Sequence, residues 1–149
     1  MGVLKPEEFV VKVLKANAGV AAIIGTKISP DPAPQKTALP YITYLCNGVN
    51  REYHILSSTG IVNMMLQLNV MAQTYEGIKD LMDAIRLALN DYPKGTYTSG
   101  SDTVDLRRVA LRDEEQNFIA PYSGQQMAAY SGVLLYEIVY REVVPTHGD

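Results

Sequence analysis

The stretch Val62-Asn63-Met64-Met65-Leu66-Gln67-Leu68-Asn69-Val70-Met71-Ala72-Gln73 decides the fold. Val62, Met64, Leu66, Leu68, Val70 and Ala72 alternate with Asn63, Met65, Gln67, Asn69, Met71 and Gln73, so a strand here has one wholly apolar face. An antiparallel sheet shows this pattern when helices cover one side and the other meets water or a partner. The covering helix follows at once. Thr74 is a ready N-cap, Glu76 suits the positive end of the dipole, and Ile78, Leu81, Met82, Ile85, Ala88 and Leu89 recur at a spacing of three and four. Lys79 with Asp83, and Asp83 with Arg86, set opposite charges within one turn on its outer side, worth about 0.2–0.5 kcal/mol each.

Toward the N-terminus, Pro6 at a first turn, with Glu7 and Glu8, opens a helix to Ala16 that carries Phe9, Val10, Val13 and Leu14 on one side. A short apolar turn, Val20 to Ile24, ends at Gly25. Three prolines between Ile28 and Pro34 predict an extended surface loop. Tyr41 to Cys46 reads as a partly buried strand, closed by Asn47-Gly48. Toward the C-terminus, the Pro, Gly, Ser and Thr content from Tyr92 to Thr103 predicts a loop. A strand near Val104 to Arg112 follows, its parity slipping across Arg107-Arg108 as a bulge requires. The polar run Asp113 to Gln126 separates it from a longer strand near Met127 to Val143. There Leu134, Tyr136, Ile138 and Tyr140 lie opposite Val133, Leu135, Glu137, Val139 and Arg141, so both faces carry apolar surface and a second covering layer or a subunit partner is implied. The expected fold is α+β, a mainly antiparallel sheet of about four strands with helices packed on one face. Residues 1–149 form a single domain, with 1–5 and 144–149 as flexible tails.

Composition narrows the function. Hydrophobic residues make up 47% and charged residues 19% of the 149, an ordinary globular balance. A net charge of −3, without a dense Lys/Arg patch, disfavours tight binding to nucleic acid. One cysteine, Cys46, excludes an intrachain disulfide and fits a reducing compartment. No export signal or membrane span is expected, and Pro6 stands where a myristoylation start needs Ser or Thr.

A catalytic constellation is missing. His54 and His147 are the only imidazoles, and no metal-ligand spacing links them. Cys46 with His54 would make a nucleophile and base, but a strand position favours Cys46 as a small buried hydrophobe. The segment Gly19 to Lys27 matches neither the spacing nor the residue order of a phosphate loop. Asp113-Glu114-Glu115 lacks the alternate spacing and turn glycine of a calcium loop and reads as a solvated run. Arg107 and Arg108 point to opposite faces of a strand, so they cannot clamp one phosphate. Ten tyrosines suit either a core or an interface, Tyr41, Tyr44, Tyr136 and Tyr140 among them.

Several short motifs recur in a telling order. Leu39-Pro40-Tyr41-Ile42-Thr43-Tyr44 opens one strand, Leu68-Asn69-Val70-Met71-Ala72 ends another, and Tyr75-Glu76-Gly77 starts a helix that closes in Ala84-Ile85-Arg86-Leu87-Ala88-Leu89. Tyr140-Arg141-Glu142 ends the last strand. From Phe9 to Glu142 this order resembles the tail-completion (tail terminator, head-tail joining) family of long-tailed bacteriophages.

The resemblance implies a structural virion protein, not an enzyme, with no cofactor and no metal. It implies a homo-oligomeric ring, six-fold in the family, that caps the head-proximal end of the tail tube, ends its polymerisation and joins the tail to the head. Its partners would be the tail tube protein and the head-completion or connector protein, with genome DNA passing through the lumen without specific binding, and no membrane. It would be built in the host cytoplasm and reside at the tail-neck interface. Contact elements are expected in the loops Asn47 to Gly60, Tyr92 to Thr103 and Asp113 to Gln126. Arg51, Glu52, Tyr53 and His54 are candidate interface residues, and Asp113, Glu114 and Glu115 are candidates to face the lumen and repel DNA. The competing readings are another neck or tail component, such as a head-completion adaptor or a tube subunit, and a small soluble α+β enzyme or ligand-binding domain.

Overall fold

The computed structural model describes residues 5–30, 38–53, 58–99, 102–119 and 129–142. The chain runs α1 (Pro6–Ala16), α2 (Ala18–Ile24), β1 (Ile28–Pro30), β2 (Tyr41–Tyr53), β3 (Ser58–Ala72), α3 (Tyr75–Leu89), β4 (Gly95–Ser99), β5 (Asp102–Ile119) and β6 (Ala129–Arg141). All strands join one sheet in the order β1-β2-β3-β6-β5-β4. The β1–β2 pair is parallel and the others are antiparallel.

This corrects the expected four-stranded antiparallel sheet with helices on one face. Among the described residues six strands form a mixed sheet that curls into a half-barrel, accompanied by three helices. Three stretches read as loops are strand instead. Asn47-Gly48 is a bulge and not a turn: Cys46 pairs with Leu66 and Gly48 with Met65, leaving Asn47 as the extra residue while β2 runs on to Tyr53. The Tyr92 to Thr103 segment contains β4, antiparallel to the start of β5. Asp113 to Ile119 stays extended because its backbone pairs with β6 down to Ile119↔Ala129. The three-proline loop begins as the short edge strand β1, where a proline is tolerated.

β3 and β6 form the middle of the sheet, in register from Ile61↔Arg141 to Ala72↔Tyr130. The even-numbered residues of β3 from Val62 to Ala72 are buried, as are Leu134, Tyr136, Ile138 and Tyr140 of β6. α3 packs against this surface through Ile78, Leu81, Met82, Ile85 and Leu89, and α1 and α2 pack in turn against α3. Each large side chain fully buried here contributes about 1.5–3 kcal/mol. Gly132 lets α3 come close, because a Cβ there would stand 2.6 Å from Met82 Sδ and 2.9 Å from Val70 Cγ2.

Both ends of α3 are fixed by side chains. Thr74 Oγ1 accepts from the Gly77 N–H at 2.9 Å, the N-cap expected from the sequence. At the other end the buried Tyr136 hydroxyl donates to Asn90 Oδ1 at 2.8 Å, tying the C-cap to β6. Phe9 of α1 packs its ring against Tyr92 and Tyr97, centroids 5.5 and 4.9 Å away, and so holds β4 to the helical layer.

Candidate functional site

The odd-numbered residues of β3 from Ile61 to Met71 and of β6 from Ser131 to Val139 face away from the helices and are half-exposed. Glu137 sits in the middle of this open face, opposite Met65 on β3 and Ala110 on β5. Two guanidinium groups from β5 converge on it. Arg108 Nη2 and Arg112 Nη2 each lie 2.5 Å from Glu137 Oε1, and Arg112 Nε donates at 3.2 Å. Two bulges allow this, because β5 slips register between Leu106 and Arg108 and again between Leu111 and Arg112's neighbour Asp113. Hydrogen bonding from Arg112, helped by Arg108 and opposed by burial, holds the Glu137 carboxyl below the usual carboxylate range. An amide chain continues the polar surface: Asn47 Nδ2 donates to Gln67 Oε1 at 3.3 Å, and Gln67 Nε2 to Asn69 Oδ1 at 2.8 Å.

The acidic run on β5 is split by strand parity. Asp113 pairs with Leu135 and Glu115 with Val133, so both share the open face. Glu114 pairs with buried Leu134 and turns toward α3, where its carboxylate meets Arg86, which also holds Asp83. Only Asp113 and Glu115 can therefore act together. Beside the Arg86 pairs, Asp83, Leu87 and Asn90 complete a surface hollow in which Leu87 is 87% exposed.

The other expected contact set is also on strand and not on a loop. Arg51 and Glu52 belong to β2, and Arg51 Nε pairs with Glu142 Oε1 at 2.7 Å across the end of the sheet. Tyr53 is the last residue of β2, and His54 lies outside the described residues. β3 and β6 separate this set from Asp113–Glu115, so the two form distinct patches. Cys46 is exposed, which corrects the expectation of a buried hydrophobe: it stands on an outer strand whose residues from Leu45 to Glu52 are all exposed. Of the four tyrosines weighed between core and contact, Tyr136 and Tyr140 are buried and Tyr41 and Tyr44 half-buried.

Sequence reasoning missed the Arg108–Glu137–Arg112 cluster and the exposed apolar side chains. The first had a signal in the parity slip at Arg107-Arg108. The second had none, since an apolar residue on a strand reads as core. Among the described residues no group of His, Cys, Asp and Glu is placed to hold a metal ion, and no helix is long and apolar enough to cross a membrane.

The described residues thus combine long strands, paired charges on an open face and apolar side chains exposed at several separate places. The family described as tail completion protein gp17 matches residues 8–140, and the chain belongs to that family, a class of structural proteins of phage tails. The fold is similar to a chain in a solved virion of a native gene transfer agent particle, with TM-score 0.63 and 15% identity over 89% of this chain and 92% of that one. No curated protein sequence matches this chain.

Proposed function

We propose that this chain caps the head-proximal end of the tail tube as a closed ring, ends tube polymerisation and joins the tail to the head connector. The observation that carries the reading is the family match, which spans nearly the whole sheet and all three helices. The geometry supports it. A ring closed by rotation brings a different patch of each subunit to each neighbour, and a cap needs further surfaces for tube and connector. Exposed Leu45 and Val49 on β2, Leu87 on α3 and Phe118 on β5 provide apolar contacts on separate elements. In this reading Asp113 and Glu115 on the open face turn to the lumen and keep DNA from adhering, while Glu137 offsets one of the two positive charges of Arg108 and Arg112.

The test is mass measurement and negative-stain imaging of the purified chain, alone and mixed with free tails and tailless heads. The reading expects one ring at one tail end and recovery of joined particles. Continuous stacking into tubes would make it a tube subunit instead, and binding to heads but never to tails would make it a head-completion adaptor.

A further inference from the structure

The sheet has two long outer edges that no described strand covers. β1 lies beside β2 only at Ile42–Tyr44, which leaves the outer side of Leu45–Asn50 open. β4 lies beside β5 only up to Leu106, which leaves Arg107–Ile119 open. Open edges invite pairing unless charge and bulges guard them, and the β5 edge carries both signs, Arg107, Arg108 and Arg112 with Asp113, Glu114 and Glu115, which selects among partners and does not close the edge to all of them. Here, of the five exposed large hydrophobic side chains among the described residues, Leu45 (41%), Val49 (45%) and Phe118 (57%) stand on these two edges.

We infer that neighbouring copies of this chain join edge to edge, the outer side of β2 over Leu45–Asn50 pairing antiparallel with the outer side of β5 over Arg107–Ile119 of the next copy. One sheet then runs on from subunit to subunit. The inference rests on the ring reading above and says how that ring is held.

Strand direction permits it. β2 opposes β3, β3 opposes β6 and β6 opposes β5, so β2 and β5 run in opposite senses within one subunit. A copy turned about an axis along the strands keeps its sense, so its β2 arrives antiparallel to the first copy's β5. Alternation then continues through the joint without a break. The levels agree as well. Gly48 is opposite Met65, and Asp113 is opposite Leu135, which is opposite Gln67, so the middles of the two edges differ by two positions along β3. At about 3.3 Å per residue that is a stagger of about 7 Å, the kind of offset a closed sheet meets by tilting its strands. The contact is heterologous, since it uses two different edges of one subunit, and it closes by rotation. It also covers the apolar side chains. The bulges at Arg107, Arg112 and Asn47 keep the edges from accepting any strand at random.

The native Cys46 lies on the β2 edge and reads out the pairing. Its side chain shares the helix-side face with Glu114, Gln116 and Phe118 of β5, while Asp113, Glu115 and Asn117 face the other way. Single substitutions to Cys at these six β5 positions are made in the full chain, checked for native circular dichroism, and treated with a short thiol cross-linker, both free in solution and bound to tails. Multimer ladders on denaturing gels are expected from one or two of Glu114→Cys, Gln116→Cys and Phe118→Cys. None is expected from Asp113→Cys, Glu115→Cys or Asn117→Cys, and Cys46→Ser should abolish every ladder. A ring of the expected mass with no ladder at any position, or with ladders indifferent to face, overturns edge pairing and leaves the ring. A chain that stays monomeric with and without tails overturns the ring itself and this inference with it.

Discussion

Gly132→Ala should destabilise the subunit although it adds a single methyl group. Gly132 is in the middle of the sheet, paired with Val70 on β3 and Gln116 on β5, directly beneath α3. A Cβ at this position would stand 2.6 Å from Met82 Sδ, 2.9 Å from Val70 Cγ2 and 3.2 Å from Met82 Cε. Met82 is unbranched and can swing away, but Val70 is β-branched on a strand whose register is fixed on both sides, so it must shift its backbone or leave its rotamer. Overpacking of this kind costs about 1–3 kcal/mol. The alanine also restricts the unfolded chain, which returns about 0.4–1 kcal/mol. The net expectation, from the middle of both ranges, is a loss of about 1.3 kcal/mol, and at about 2–4 °C per kcal/mol for a domain of this size Tm falls by roughly 3–5 °C. Urea unfolding followed by far-ultraviolet circular dichroism measures it, with Gly19→Ala as the contrast. Gly19 is exposed in α2, where a Cβ would stand 3.3 Å from the capping Asn17 Oδ1 and 3.9 Å from Ala84 Cβ, so its alanine should be close to neutral. Combining Gly132→Ala with Met82→Ala should cost less than the sum of the two, since the new methyl occupies space the truncation opens. A Gly132→Ala chain as stable as the parent would refute the close approach of α3 to β6 at this point.

Tyr136→Phe removes the hydroxyl that ties β6 to the C-cap of α3, and because exposed Asn90 can turn to water the cost should be about 1 kcal/mol by urea unfolding, far below the cavity left by Tyr136→Ala. Glu137 titrates lower in the folded chain than unfolded, so its pairs with Arg108 and Arg112 add stability above the ordinary carboxylate range and lose it as pH falls through the lowered value. Both arginines are about half exposed, so Glu137→Gln should flatten that acid limb by no more than about 1 kcal/mol in pH-dependent urea midpoints. Cys46 should react fully with a thiol reagent in the native free subunit, without denaturant, and become protected in the assembled state.

What the sequence showed and what it hid differ by where packing decides. Val62 to Ala72 was legible because its apolar face lies under α3, and burial on one side writes a period of two into the residues. The helix from Tyr75 was legible for the same reason, with Thr74 marking its start. Asp113 to Ile119 was not. Past Leu111 that strand meets α3 through the Glu114–Arg86 pair, the residues described from Arg112 to Phe118 are exposed, and the run Asp-Glu-Glu-Gln-Asn carries no alternation. Its extended shape comes from backbone pairing with β6, which leaves no trace in side-chain type. Asn47-Gly48 misled in a related way, because a pair favoured in hairpin turns here sits at a bulge inside a continuing strand. The Arg108–Glu137–Arg112 cluster depends on two bulges and on a neighbouring strand, a geometry that no linear spacing displays.

The same contrast bears on how the subunit works. The part of the sheet beneath the helices is written for folding: apolar, one-sided and closed by caps. The exposed parts of the two outer strands, β2 from Leu45 and β5 from Arg112, carry mostly polar residues together with exposed Leu45, Val49 and Phe118. Among the described residues these arms bury little and pair on one side only. A strand in that position gains from a second neighbour what β5 already gains from β4 between Asp102 and Leu106, a full ladder and a covered edge. The fold is therefore complete at its centre and unfinished at two opposite margins, and a rotated copy of the same chain brings one margin to the other. A ring built this way makes folding the business of the buried centre and assembly that of the strand ends, so substitutions at Leu45, Val49 or Phe118 should separate the two.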